Sequence, residues 1–156
     1  MSPYYTTAEV CLEGHPTTGS TEIHPERRKK YCDKCGSETI TACPTCKAPI
    51  RGDYHGNHLL NRLLHPPGYC HSCGKPYPWT ESKIQAAIQI FMEFGDLQEA
   101  EKQTIAADIQ NIAKGTPASE LSALRVKRIW SHAGKIAYDV LMEFASKTAA
   151  EVLKNP

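Results

Sequence analysis

A chain of 156 residues has room for one compact domain or two small ones. Its 18 Lys and Arg against 17 Asp and Glu leave a formal charge of +1, which excludes the strongly basic footprint of a dedicated nucleic-acid binder. Hydrophobic residues make up 40% with only three Phe, a modest supply for one large core, and the unusual count is seven Cys.

The opening stretch, MSPYYTTAEVCLEGH, has neither a basic n-region nor an apolar h-region and does not read as a secretory signal. No window approaches the roughly 20 apolar residues of a membrane-spanning helix. The expected location is therefore the cytoplasm, where a reducing environment makes clustered cysteines metal ligands rather than disulfides.

All the cysteines lie between Cys11 and Cys73, in a part of the chain where Gly and Pro also concentrate. Three are CxxC pairs: Cys32 with Cys35, Cys43 with Cys46, and Cys70 with Cys73. A two-residue spacer lets a tight turn aim both thiolates at one ion while its N–H groups bond the sulfurs. Gly36 and Gly74 follow two of these turns, where a positive φ is often needed, and Pro44 stiffens the third. Tetrahedral zinc takes four such donors, so pairs must combine in twos. The fourth pair is Cys11-Leu-Glu-Gly-His15, with an imidazole in place of a thiolate and His24 as its competitor.

Two structural Zn2+ ions follow, one on three cysteines and a histidine and one on four cysteines. Sequential pairing gives two consecutive zinc ribbons and is favoured. A cross-braced order, or a direct pairing of Cys32 and Cys35 with Cys43 and Cys46 across the seven residues Gly36 to Ala42, stays open. Catalytic zinc keeps a position for water. Here every ion can be closed by protein ligands, and no H-E-x-x-H motif is present.

Between the first two knuckles lies the basic run Arg27-Arg-Lys-Lys30, read as a solvated loop in preference to a phosphate site. Residues 1–80 hold nine Lys and Arg and seven Asp and Glu, and metal-bound thiolates only add negative charge. Arg51-Gly52-Asp53 matches an adhesion tripeptide, in a cytosolic chain a coincidence. Around the last knuckle cluster Pro66, Pro67, Tyr69, Tyr77, Pro78 and Trp79, with Tyr77 and Trp79 expected to weld the zinc domain to the first helix.

From Thr80 the cysteines stop and helical spacing begins. Thr80 reads as an N-cap, with Trp79 and Ile84 as a hydrophobic staple, for a helix over 81–94 that Gly95 stops. Asp96 and Glu99 read as a capping box opening a second helix, which Gly115 ends. Thr116-Pro117 restarts the chain as N-cap and N1. The remaining pattern is one bent helix or two, with Gly134 as a candidate kink. Its expected apolar stripe is Leu124, Ile129, Ala133, Ile136, Val140, Phe144 and Thr148, widened by Ala137 and Leu141.

The runs Cys11-Leu-Glu-Gly-His15, Cys43-Pro-Thr-Cys-Lys-Ala-Pro-Ile-Arg-Gly-Asp-Tyr54 and Tyr69-Cys-His-Ser-Cys-Gly-Lys-Pro-Tyr-Pro-Trp-Thr80 resemble a bacterial zinc-ribbon family, domain of unknown function 2321. The resemblance covers about residues 8–90 and implies metal binding through these cysteines, but no activity. Segment 56–65 departs from the family pattern, in which that stretch is more β-like.

The expected architecture is a small zinc-stabilised β or irregular domain of two ribbons, residues 1–80, followed by an all-α domain, residues 81–156. The expected function is a non-enzymatic adaptor or scaffold that binds a protein partner or self-associates through its helices. The small residues Ala133, Gly134, Ala137, Ala145, Ala149 and Ala150 would let another helix approach closely. The alternative is a nucleic-acid-binding accessory factor using the Arg27–Lys30 and Arg125–Arg128 patches.

Overall fold

Short extended runs broken by Gly and Pro can form only short strands, and a computed structural model has six of them among its described residues. It describes residues 2–56, 59–63, 65–94 and 97–154. The chain divides into two compact units, Met1–Glu81 and Ser82–Pro156. No described helix is long and apolar enough to cross a membrane.

The first unit carries two three-stranded antiparallel sheets. Strands β1 (Tyr4–Thr7), β5 (Arg51–Gly56) and β6 (Leu59–Asn61) form one in the order β1-β5-β6. Strands β2 (Glu9–Cys11), β3 (Pro16–Thr18) and β4 (Thr39–Ile40) form the other, with β2 central. Segment 56–65, expected to depart from β structure, instead supplies β6, paired through His55↔Leu60; His58 lies outside the described residues. The apolar core is small: Ala8, Val10, Ile50, Tyr77 and Trp79, together with Cys43 and Cys70.

Helix α1 (Pro78–Phe94) starts one turn earlier than expected. Proline at the first helical position has its φ set and lacks only an N–H that would go unbonded there. Thr80 and Glu81 both donate backbone N–H to the Tyr77 carbonyl, at 3.0 Å each. Thr80 is therefore a buried helical residue and not the cap. Trp79, expected outside the helix as half of a staple, packs in the first unit's core. It stacks on Tyr77 with ring centroids 4.7 Å apart and donates its indole N–H to the Pro67 carbonyl at 3.0 Å.

In the second unit, α2 (Glu99–Lys114) opens on a capping box of Gln98 and Glu101. Gly95 and Asp96 lie outside the described residues. Gly115 ends α2 in the left-handed region, φ 63°, as the sequence suggests. A turn over Thr116–Ser119 precedes α3 (Ser119–Met142), two residues later than the Thr116-Pro117 signal placed it. The long pattern is two helices: α4 runs Lys147–Lys154, and the break falls at 143–146 rather than at Gly134. There the Ser146 N–H leaves the helical ladder and donates to the Ile112 carbonyl near the end of α2, at 3.0 Å.

The buried face of α3 and α4 is Ala123, Val126, Ala137, Leu141, Ala149 and Leu153. Of the expected stripe, Ala137 and Leu141 are buried and Ile129, Val140 and Phe144 pack against this core, whereas Leu124 and Ile136 are 53% and 70% exposed and Thr148 is exposed as well. The side chains of Ala133 and Gly134 lie outside the described residues. A polar anchor sets the rotation of α3. Ser122, buried, donates its hydroxyl to the buried Asp108 carboxylate of α2 at 2.7 Å, and Arg125 Nη1 lies 3.5 Å from the same oxygen. With Ser122 turned inward, Ala123 and Val126 follow it at helical spacing and Leu124 turns out.

Candidate metal centres

Each CxxC knuckle is built by the same backbone bonds. In the first, Cys32 N–H donates to Ser37 O at 2.9 Å and Gly36 N–H to Cys32 O at 2.8 Å. Cys43 with Ala48 and Lys47, and Cys70 with Lys75 and Gly74, repeat the pattern at 2.8–2.9 Å. A bridge closes each mouth: Tyr31↔Glu38, Ala42↔Pro49 and Tyr69↔Pro76. The residue after the second cysteine is left-handed every time, Gly36 at φ 73°, Gly74 at 70° and Lys47 at 62°. Glycine takes that conformation without a Cβ penalty; lysine does not.

The Cys11–His15 knuckle is one residue different. Gly14, at φ 87°, takes the left-handed place and the ligand moves to the next position. A side chain at 14 would also put its Cβ 2.9 Å from Trp79 Cβ, so this turn requires glycine on two counts.

The knuckles meet in two groups, Cys11, His15, Cys32 and Cys35, and Cys43, Cys46, Cys70 and Cys73. This is the sequential pairing; the cross-braced and adjacent-knuckle orders do not occur. Within each group all the donor atoms lie within 4.8 Å of one another. Sulfur atoms of Cys11 and Cys35 are 3.7 Å apart, of Cys43 and Cys73 3.8 Å, and of Cys46 and Cys70 3.6 Å. Tetrahedral thiolates about 2.3 Å from one ion have edges of about 3.8 Å, whereas a disulfide is about 2 Å. His15 Nδ1 sits 3.5 Å from Cys11 Sγ and 3.8 Å from Cys32 Sγ, which suits the same tetrahedron. His24 is elsewhere, with Nδ1 3.2 Å from Glu26 Oε1. The eight donors fit two metal ions.

Backbone N–H groups prepare the sulfurs for a cation. His15 N–H points at Cys11 Sγ at 3.2 Å and Ser72 N–H at Cys70 Sγ at 3.4 Å. Bonds from the Cys73 and Ser72 N–H groups pull the Cys70 thiol down to about 6. Cys73 receives its own bond from Lys75, yet burial and the Cys46, Cys70 and Cys43 sulfurs outweigh it and push that thiol up to about 11. Four thiolates this close cannot share one site without positive charge among them. The Tyr77 hydroxyl is buried beside this group, and burial, followed by the charge and hydrogen bond of Cys70 and the Cys43 and Cys46 charges, holds its proton on.

Nothing in the sequence singles out Glu9, which is buried in central strand β2. Its Oε1 accepts the Lys29 N–H at 2.7 Å and the Thr17 hydroxyl at 2.9 Å, and its Oε2 accepts Arg28 Nε at 3.2 Å. Arg28 and the Lys29 N–H thus tie the basic run to the strand that carries Cys11, while Arg27 to Lys30 stay exposed, the solvated loop expected. Removing a buried carboxylate's charge while three donors still point at it costs about 1–3 kcal/mol. Glu9→Gln is therefore expected to lower the first unit's thermal midpoint by several degrees in a calorimetric scan.

A family model described as an uncharacterized protein conserved in bacteria (DUF2321) matches residues 4–155. No curated protein and no solved structure matches the chain.

Proposed function

We propose that this chain, which belongs to the bacterial family DUF2321, is a non-enzymatic cytoplasmic adaptor in which two structural zinc ions hold a scaffold and the helical unit docks on protein. Zinc suits the two donor sets because it accepts thiolate and imidazole tetrahedrally, has no redox chemistry and survives reducing conditions. Four protein donors in each group leave no place for an activated water, which supports a structural role.

The observation that carries the docking reading is on α3. Leu121, Leu124 and Ile136 are 52%, 53% and 70% exposed, and helical spacing places them within about 120° of one another around the axis. Exposed Arg125, Arg128 and Lys135 share that face, and a mixed apolar and cationic surface on a helix that already buries another face suits a protein contact. The occupant is a second copy or a partner of similar apolar character.

Sedimentation of the zinc-loaded chain tests this. A concentration-dependent dimer that Leu124→Lys/Ile136→Lys reduces to monomer, with helicity unchanged, is the expected result. A monomer at every concentration, with the same crosslinked partners for parent and variant in bacterial lysate, removes the reading.

A further inference from the structure

Tyr77 carries a hydroxyl into a core that offers it almost nothing polar. The residue is fully buried and packs with Ala8, Val10, Ile50, Cys43 and Cys70. Among the described residues no oxygen or nitrogen accepts its proton. The groups that act on it are the sulfurs of Cys70, Cys43 and Cys46, and Cys70 is the one within hydrogen-bonding reach. A buried O–H without an acceptor is costly, so buried hydroxyls are nearly always bonded.

The neighbouring knuckles show that the fold does not need a hydroxyl at this position. The bridges that close the CxxC turns are Tyr31↔Glu38, Ala42↔Pro49 and Tyr69↔Pro76, and the residues that follow them are Thr39, Ile50 and Tyr77. Ile50 serves the same four-cysteine group and is fully buried too, so hydrocarbon can fill the place. Thr39, on the Cys32 knuckle, donates its hydroxyl to the Lys29 carbonyl instead. The Tyr77 ring is also firmly held. Its N–H donates to the Gly68 carbonyl at 3.0 Å, its own carbonyl takes the N–H groups of Thr80 and Glu81, and its ring stacks on Trp79 at 14°. A ring fixed on its face and at its backbone delivers the hydroxyl to one place.

We propose that Tyr77 is a positioning residue of the four-cysteine centre, its hydroxyl donating to the Cys70 sulfur and holding that thiolate as a metal ligand. A metal-bound thiolate keeps negative charge and lone pairs, and a donor in a dry core stabilises both. Hydrogen bonds to ligand atoms fix their orientation and are worth about ten-fold or more in metal affinity. The inference rests on the reading of both groups as metal centres.

The test loads the full chain with Co2+, whose thiolate-to-metal charge-transfer bands report on the sulfurs. Tyr77→Phe removes the hydroxyl and keeps the stacked ring. Its charge-transfer envelope is expected to move to longer wavelength. A competing chelator should withdraw one of its two ions about ten-fold more readily than in the parent, and the other equally. Tyr69→Phe is the control. Its hydroxyl is also buried without a partner among the described residues, but the charge acting on it is Glu81 and not a sulfur. This variant should match the parent. Metal stoichiometry tests the underlying reading separately: one ion per chain in the parent removes that reading and this inference with it. At two ions per chain, an unchanged band and affinity in Tyr77→Phe, or an equal change in Tyr69→Phe, overturns the role of Tyr77 alone. If Tyr77→Phe does not take up two ions, NMR of the cadmium-loaded parent decides. A Tyr77 hydroxyl proton protected from exchange, with cross-relaxation to the Cys70 β-protons, is expected; its absence overturns the proposal.

Discussion

Stripping metal from the full chain with a strong chelator is expected to unfold the first unit while α2, α3 and α4 stay folded. The reason is size. That unit buries only a handful of apolar side chains, and four of them, Cys11, Cys32, Cys43 and Cys70, are themselves metal donors. A domain of this length with so small a core does not offset its chain entropy by hydrophobic burial alone. Closed thiolate sites supply on the order of 10 kcal/mol each, more than the whole net stability of a typical small domain. Among the described residues of the second unit no metal-binding group is found, and Phe91, Ile105, Ile109 and Ile112 are fully or almost fully buried in its own core.

Hydrogen exchange read by mass spectrometry separates the two outcomes. After chelation, amides of β1 to β6 should exchange within the dead time, and those of α2 and α3 should keep their protection. Zinc analysis adds a stoichiometric arm: two equivalents per chain, falling to one in Cys70→Ser/Cys73→Ser. One equivalent in the parent, or a first unit still protected after chelation, would falsify the two-site account.

What could be read from the sequence followed the range of the interactions. The CxxC spacing is local, so the knuckles and their ligands stand out from a few residues each. Sequential pairing brings knuckles together across 20 to 30 residues, and spacing alone left other orders open. Helix ends were legible where one residue dictates the backbone, as at Gly115. They were misplaced where tertiary packing decides, as at Thr80, which α1 overruns because Pro78 starts the helix sooner. The stripe on α3 was right at Ile129, Ala137, Val140 and Leu141 and wrong at Leu124 and Ile136, which are as apolar as the buried set. The Ser122 hydroxyl on Asp108, a contact between helices, is what chooses between those faces. Glu9 was invisible for the same reason: its three donors come from two segments distant from it in sequence, Thr17 and the adjacent Arg28 and Lys29.

Gly52→Ala is expected to destabilise the first unit by about 4 kcal/mol, the range of a severe backbone clash. A Cβ built there would lie 1.9 Å from the Gly19 carbonyl oxygen and 2.9 Å from the Ala8 nitrogen. Both are main-chain atoms, so no rotamer change relieves the overlap; β5 must move away from residue 19. That movement breaks the Asp53 N–H bond to Gly19 O, now 2.8 Å, and draws Asp53 Oδ1 off the Leu63 N–H, now 2.7 Å. The tripeptide Arg51-Gly52-Asp53 therefore has a structural explanation: glycine admits a crossing strand and the aspartate ties it down. Other glycines calibrate the effect. At Gly36 a Cβ meets nothing within 4 Å, and only its φ of 73° argues against alanine, a cost of about 1 kcal/mol. At Gly56 the nearest atoms are the tip of the Tyr54 ring, 2.7 Å away, which can swing aside. The ranking Gly52 well above Gly36, and Gly36 above Gly56, is read from thermal midpoints of the metal-loaded variants. If Gly52→Ala melts no lower than Gly36→Ala, the close approach of β5 to Gly19 is wrong.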